Sequence, residues 1–442
     1  MNKLRTILIA LVFVLAVSAC KKNGDAVREP QKRYWFEPTP YGMVYVPQGS
    51  FIMGATVDDP ATQASTARNV SVGAFWMDET EITNNEYREF TNWVRDSIAR
   101  VMLGEQFPEF LITDEITGES AINWEEEIEW SNQDYQSALE DLYLPENDRF
   151  FGKRKINAHK LKYEYQRINL RQAARRANAY DYKNQRYNGS IMQNGQVVPI
   201  QDRSAFIIRN STAVYPDTLC WIRDFTYTYN EPLALSYNWH PAYSQYPVVG
   251  VTWKQAKAFA HWRTQKKNQF QALIKEASIL DYRLPNEAEW EYAARGGLQN
   301  ADFPWGAYYS RSCEGCFLAN FKPMRGDYVS DNKYGVTTVP VAKYDPNQYG
   351  LYDMAGNVAE WTTSAYDEAS YNIVSDMNPN YEYDAQPDDP AVLKRKVIRG
   401  GSWKDISHYL KVTTRDYEYQ DSAKSFIGFR CVRPSFGNKL EY

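Results

Sequence analysis

What most constrains the fold of this chain is where its helices can begin. Thr83-x-x-Glu86, Thr252-x-x-Gln255 and Asn286-x-x-Glu289 each set a side-chain acceptor ahead of a helix and answer it with Glu or Gln three residues later. After the first, Tyr87, Phe90, Val94 and Ile98 follow at helical spacing, which predicts an amphipathic helix over Thr83 to Ile98. The second opens a helix with Trp253, Ala256, Phe259 and Ala260 on one face, and the third ends at Gly296-Gly297. Ahead of them Gly42 to Gly54, G-M-V-Y-V-P-Q-G-S-F-I-M-G, reads as strand, turn and strand, and predicts an opening β-hairpin. Beyond Gly297 the pattern turns to short strands, Gly, Asn and aromatics. Together these signals describe an α+β chain with few long regular elements.

The 442 residues are 43% hydrophobic and 24% charged, enough for two or three domains with a sizeable core and a poor fit to disorder, collagen or coiled coil. Fifty Lys and Arg against 55 Asp and Glu give a net charge of −5, so no global basic field is available for a nucleic-acid partner. The 34 Tyr, 13 Trp and 19 Phe suit broad binding surfaces as well as a core.

Lys3 and Arg5 precede an apolar run from Ile7 to Val17, and Val17-Ser18-Ala19 leads into Cys20. This is a signal-peptide pattern, too short to span a bilayer, and the cysteine after small residues resembles the bacterial lipobox. Residues 1–19 are therefore expected to be a lipoprotein signal peptide, Cys20 the lipidated residue and residues 20–40 a tether rich in polar residues and proline. The simpler alternative is an ordinary signal peptide with an incidental Cys20. Several acyl chains would hold the body firmly to a membrane face, with the outer membrane facing the periplasm as the default. Cys313 and Cys316 form a C-x-x-C without a second pair or a nearby His pair, which favours a local disulfide or unpaired thiols over metal or redox chemistry.

Residues 101–246 have a different character and are expected to form a charged, partly helical insertion. Val101 to Phe150 holds 14 Asp and Glu against one Arg, whereas Phe151 to Ser190 holds 11 Lys and Arg against two acids. Leu161, Tyr165 and Ile168 predict a helix in the basic block, with the acidic stretch around Trp124 to Leu142 as its antiparallel neighbour. The two blocks suit either a self-neutralising hairpin or a docking surface for head-to-tail contacts.

D-E-T-E-I-T-N-N-E-Y, Y-P-V-V-G-V-T-W, R-L-P-N-E-A-E-W-E-Y-A-A-R-G-G, F-P-W-G, Y-G-L-Y-D-M-A-G-N-V-A-E-W, R-G-G-S-W and G-F-R-C-V-R-P follow the opening block in order. The series resembles the formylglycine-generating enzyme (sulfatase-modifying factor) family over residues 41–100 and 247–436, leaving 437–442 as a tail. The resemblance implies a compact, C-type-lectin-like fold with little regular secondary structure. Active members of that family bind copper through two cysteines, three and eight residues beyond the serine of G-G-S. Here those positions are Asp405 and Leu410, so no copper is expected, because a carboxylate and an aliphatic side chain cannot replace two soft thiolates. Disulfide positions of some members correspond to Ala260 and Ala294, which leaves Cys431 without a partner.

The family's calcium sites map better. Asp353, Gly356, Val358 and Glu360 keep two carboxylates and two placed carbonyls, an all-oxygen set that suits structural calcium; without metal, Asp353 and Glu360 would brace the loop. A second site would fall on Asn320, Phe321, Asn332 and Tyr334, with Asp331 competing for the place of Asn332. Trp253, Trp290, Trp305, Trp361 and Trp403 are expected in the core, and Arg399 and Arg430 are expected to tie loops together.

The lipobox, the missing thiolates and the insertion together resemble most closely the K lipoproteins of the type IX secretion and gliding-motility machinery; the J lipoproteins share the domain. That resemblance implies a non-enzymatic scaffold that self-associates into a ring with a soluble periplasmic partner, the N protein. Replacing Glu125 to Glu127 with Lys would weaken such assembly. The rival expectations are a lectin-like module binding peptidoglycan or another glycan, and an oxidase with an altered metal centre.

Overall fold

Met43–Val46 (β1) and Gly49–Met53 (β2) are the two strands predicted at the start of the domain, but they do not pair with each other. Pro47 and Gln48 join them, and a two-residue hairpin needs positive φ that the proline ring forbids. Instead β2 pairs antiparallel with Arg68–Val72 (β3), and β1 with Phe75–Asp78 (β4). The predicted hairpin is thus replaced by two separate ladders. Val46, Phe51, Met53, Val70, Val72 and Phe75 are all buried from these four strands.

All three helix starts are realised. Asn84–Gly104 (α1) begins with Thr83 Oγ1 accepting from Glu86 N while the Glu86 carboxylate accepts from Thr83 N, and it outlasts the predicted end at Ile98 by burying Ala99, Arg100 and Leu103.

The stretch 161–168 is not a helix. Lys162–Ile168 (β5) pairs antiparallel with Ile207–Ala213 (β6). K-Y-E-Y-Q-R-I alternates, turning Tyr163 and Tyr165 inward and Lys162, Glu164 and Gln166 outward, so the two-residue period overrides the apolar spacing at 161, 165 and 168. The acidic stretch does not form a matching helix either. It carries only Gln133–Ala138 and a short turn at Glu140–Leu142, and it meets the basic block through the isolated bridge of Tyr143 to Ile156, flanking backbone bonds and the Arg154–Glu140 ion pair. Beyond it Trp253–Leu273 (α2) and Glu287–Arg295 (α3) carry the two remaining capping boxes, with Gly296 left-handed at the end of α3.

The computed structural model describes residues 37–54, 67–113, 118, 120–193, 196–326, 328 and 336–436. Residues 1–19, Cys20 and most of the tether, Asn332, Tyr334 and the tail 437–442 lie outside the described residues. Residues 39–435 make one unit; of a second, residues 1–38 and 436–442, only 37, 38 and 436 are described.

The carboxyl-terminal part supplies a four-stranded sheet. Ala359–Ala365 (β7) lies between Arg395–Arg399 (β8) on one side and Ile427–Gly428 (β10) on the other, with Asp416–Tyr419 (β9) beyond β8; the β7–β10 pair is parallel. The last strand, Val432–Pro434 (β11), returns to the beginning of the domain and pairs with β4, so that β4 is central in the order β1-β4-β11. Helices and mostly antiparallel strands make this an α+β fold. Trp253, Trp290, Trp361 and Trp403 are buried and Trp305 half-buried, as expected for core aromatics. Among the described residues no helix is long and apolar enough to cross a membrane.

Candidate functional site

Gly400 and Gly401 follow β8 with φ of 94° and 68°, a left-handed pair that only glycine adopts freely. A Cβ on Gly401 would stand 2.7 Å from the carbonyl oxygen of Tyr409, so this glycine lets the chain fold back on the segment ending at Leu410. The turn thus brings positions 405 and 410 into one corner of the domain. Asp405 is folded back inside it: its Oδ2 accepts from Ser402 Oγ at 2.6 Å, and Lys404 lies 3.7 Å from Oδ1. Leu410 is fully buried among Phe303, Ala319, Phe321 and Ala355. One expected metal-ligand position therefore closes a local turn and the other fills the core. Among the described residues no group of three His, Cys, Asp or Glu could hold a metal. Cys220, Cys313, Cys316 and Cys431 are all unpaired, with Cys313 and Cys316 exposed and the other two buried.

Behind that corner lies a buried polar cluster. Arg430 Nε reaches both oxygens of Glu360 at 2.9 Å and its Nη2 reaches Oε1 at 2.7 Å, while Trp290 Nε1 donates to Oε2 at 2.8 Å. The same guanidinium donates to the carbonyls of Asp78, Glu79 and Tyr352, which makes it the tie between loops that the sequence predicts. Glu360 is thereby committed to Arg430 and Trp290.

Two further carboxylates share the cluster. Asp353, with φ of 53°, accepts from Ala342 N at 2.7 Å. Burial, reinforced by the negative charge of Glu360, raises it to about 6. Glu81, which sequence reasoning did not single out, is fully buried and accepts from Asn357 Nδ2 at 2.8 Å and Val358 N at 3.1 Å. Burial and then the charges of Asp353 and Glu360 push its carboxyl well above the usual range. Its sequence context as the residue before an N-cap block carried no signal of this role.

The cluster therefore sets three carboxylates against the guanidinium of Arg430, an excess of negative charge that favours a bound proton; because the three form no ligand set by themselves, a hard cation there would also have to draw on backbone carbonyls. Asp353 also lines a shallow surface depression with Trp305, Tyr344 and Asp345. Of the expected calcium set, Asp353 and Glu360 are brought to one place, with Gly356 and Val358 between them in the loop. Of the second set, Asn320 and Phe321 are buried; Asn320 is bonded to Asn357 and the Thr337 carbonyl, while its buried Oδ1 has no hydrogen-bond partner.

Arg399 organises the other face of α3. It donates to Glu291 Oε2 at 2.5 Å, to Glu287 Oε1 at 3.3 Å and to the carbonyls of Val412 and Thr413, while Arg295 closes on Glu291 at 2.7 Å and Arg415 on Glu287 at 2.5 Å. Three arginines and two glutamates leave a network with every carboxylate paired and one positive charge in excess, in contrast to the acidic one behind it.

A third cluster fastens the strand pair β5–β6 to the rest. Arg167 of β5 meets Asp384 at 2.5 Å and Arg171 meets Glu382 at 3.1 Å. Lys257 and Lys396 stand 4.2 and 4.1 Å from the Trp253 ring. Against the burial that raises it, Lys257 and Arg167 hold Asp384 down to about 2.

Comparison with known proteins bears on this geometry. The model of the sulfatase-modifying factor enzyme 1-like domain matches residues 30–148 and 156–435, running through most of the stretch expected to be an insertion. The chain is similar to the inactive C-alpha-formylglycine-generating enzyme 2 of Bos taurus, 35% identical over 194 residues that make up 42% of this chain and 50% of that one. It is also similar to the formylglycine-generating enzyme of Streptomyces coelicolor, 33% identical over 191 residues, 42% of this chain and 52% of that one. The chain spans about half the length of these curated relatives. Among solved structures, that of PvdO from Pseudomonas aeruginosa is similar with a TM-score of 0.45 and 18% identity, over 89% of this chain and 94% of that chain.

Proposed function

The chain belongs to the sulfatase-modifying factor enzyme 1-like domain family, and on that footing we propose that it is a catalytically inactive member serving as a scaffold. The observation that carries this reading is the pair Asp405 and Leu410. Oxygen activation on copper needs two thiolates held free to bind it. Here the first position spends its carboxylate on Ser402 and the second has no exposed surface.

The finer reading is a lipoprotein anchored through Cys20 in the outer membrane, facing the periplasm. It forms the ring of the type IX secretion and gliding machinery with copies of itself and a soluble partner, the N protein. Support comes from the lipobox resemblance and from the charge-segregated stretch after α1. The test is gentle detergent extraction of the native protein, with mass spectrometry and negative-stain imaging of the same fraction. Large rings containing a second soluble protein are the expected result; a monodisperse monomer without partners would overturn the scaffold reading.

Calcium belongs to this proposal as a structural ion. Asp353 would hold it, with Gly356 and Val358 offering carbonyl oxygens and Glu360 remaining on Arg430. Its contribution would be to offset the buried negative charge that Arg430 leaves uncompensated.

A further inference from the structure

The turn between the acidic and basic arms ends in two adjacent aromatic residues that the fold does not cover. Phe150 and Phe151 are 71% and 84% exposed, with ring centroids 4.4 Å apart. Phe151 sits in the left-handed region at φ 52° and ψ 32°, followed by Gly152 at φ 66°. A bulky residue is held there only when its surroundings fix it. They do: Arg149 Nε donates to the Leu144 carbonyl at 2.8 Å and its guanidinium pairs with Glu140. Arg154 pairs with the same Glu140 at 3.1 Å, and Leu144 N donates to the Lys155 carbonyl at 2.9 Å. The tip is therefore braced, and it presents two rings beside Lys153 and Lys155, which are exposed and enter no ion pair among the described residues.

The same chain carries a surface of complementary chemistry. Glu109, Glu126, Glu129 and Asp134 are exposed, surround Tyr135 and enter no ion pair among the described residues. Their loop is fixed from below, by Arg100 donating to the carbonyls of Asn123 and Glu126 and by Asn123 Nδ2 donating to that of Glu109. Aromatic rings line it: Phe107 and Phe110 pack on Tyr135 at 4.9 and 5.4 Å, and Trp124, 43% exposed, stacks on Trp93 at 5.4 Å.

We propose that the Phe150-Phe151 tip with Lys153 and Lys155 docks on the acidic aromatic shelf around Tyr135 of a second copy of this chain. Rings meet rings while ammonium groups meet carboxylates that form no ion pair among the described residues. Of the possible occupants, a second copy is the one whose complementary surface is observed. The proposal deepens the scaffold reading and rests on it.

Sedimentation velocity of the full chain in mild detergent, at stepped protein and salt concentrations, tests the contact. Four variants accompany the wild type: Phe150→Ser/Phe151→Gly, Lys153→Glu/Lys155→Glu, Glu126→Lys/Glu129→Lys, and the two charge reversals combined. All lie on the surface, and circular dichroism checks that each is folded. Wild-type association should weaken with salt, each of the first three variants should weaken it at least about tenfold, and the combined exchange should restore it. Reversals that associate like wild type, or an exchange that restores nothing, would overturn the contact. So would tip variants that lose binding to phosphatidylglycerol vesicles while self-association persists, because the tip would then serve a lipid surface. Rings that persist in natively extracted tip variants would sink this contact and leave the scaffold reading standing, whereas their absence from the wild type sinks that reading itself.

Discussion

Arg430, in the link between β10 and β11, and Glu360 of β7 hold each other, both nearly devoid of solvent contact, through bonds of 2.7 to 2.9 Å. Removing the guanidinium strands Glu360 in a cluster that already holds Glu81 and Asp353. Arg430→Met should therefore cost about 3–5 kcal/mol in urea unfolding. The double variant Arg430→Met/Glu360→Gln should cost less than that single one. Equal losses would mean that the pair matters through packing alone.

The Asp353 carboxyl gives the fold a pH dependence of definite sign. Its folded value, about 6, is raised above the unfolded one, so its contribution is fully present below about pH 4 and is lost as pH rises through 6. The loss amounts to about 3 kcal/mol at most. A bound calcium ion favours the ionised form and opposes that loss. Urea midpoints measured with chelator and with calcium should differ at pH 7 and converge near pH 4.5; a calcium effect of equal size at both would remove Asp353 from the ion's ligands.

Inactivity is directly measurable. Incubated with cuprous copper, oxygen and a cysteine-containing sulfatase peptide, the protein should yield no formylglycine by mass spectrometry, because neither Asp405 nor Leu410 can supply a thiolate. Formation of product above the level without protein would contradict the scaffold assignment.

Asp384 is the counter-ion for Arg167, Lys257 and, electrostatically, Lys396, which burial draws down to about 8. Asp384→Asn should release β5 from the loop that fastens it. Hydrogen exchange should quicken in β5 and β6 while the amides of α3, held by Arg399, stay protected. Uniform acceleration across both would show a global effect instead.

Helix starts were legible in the sequence because a capping box is a local device: Thr83 and Glu86 satisfy each other within one turn, whatever the rest of the chain does. Strand partners were not. Nothing near Tyr45 says that β1 seeks a strand thirty residues on, and only Pro47 warned against the hairpin. At 161–168 two periodicities competed, and the tyrosines at 163 and 165 prevailed by packing on His261 of α2. In the site, the loss of the thiolates could be read from two positions, and Arg399 and Arg430 were placed correctly as ties. Glu81 escaped notice because its burial depends on Asn357 and Val358, far away in sequence.

The pairing of Met77 with Val432 sets an order in time. A ribosome that has released β1 through β4 has made a sheet whose central strand still lacks one neighbour, and that neighbour is made only about 350 residues later. Until then β4 offers an open edge to any strand that passes. The domain cannot close piecemeal during synthesis, so a chain exported before β11 is made, or shielded until it is, escapes the mispairing that early folding would invite.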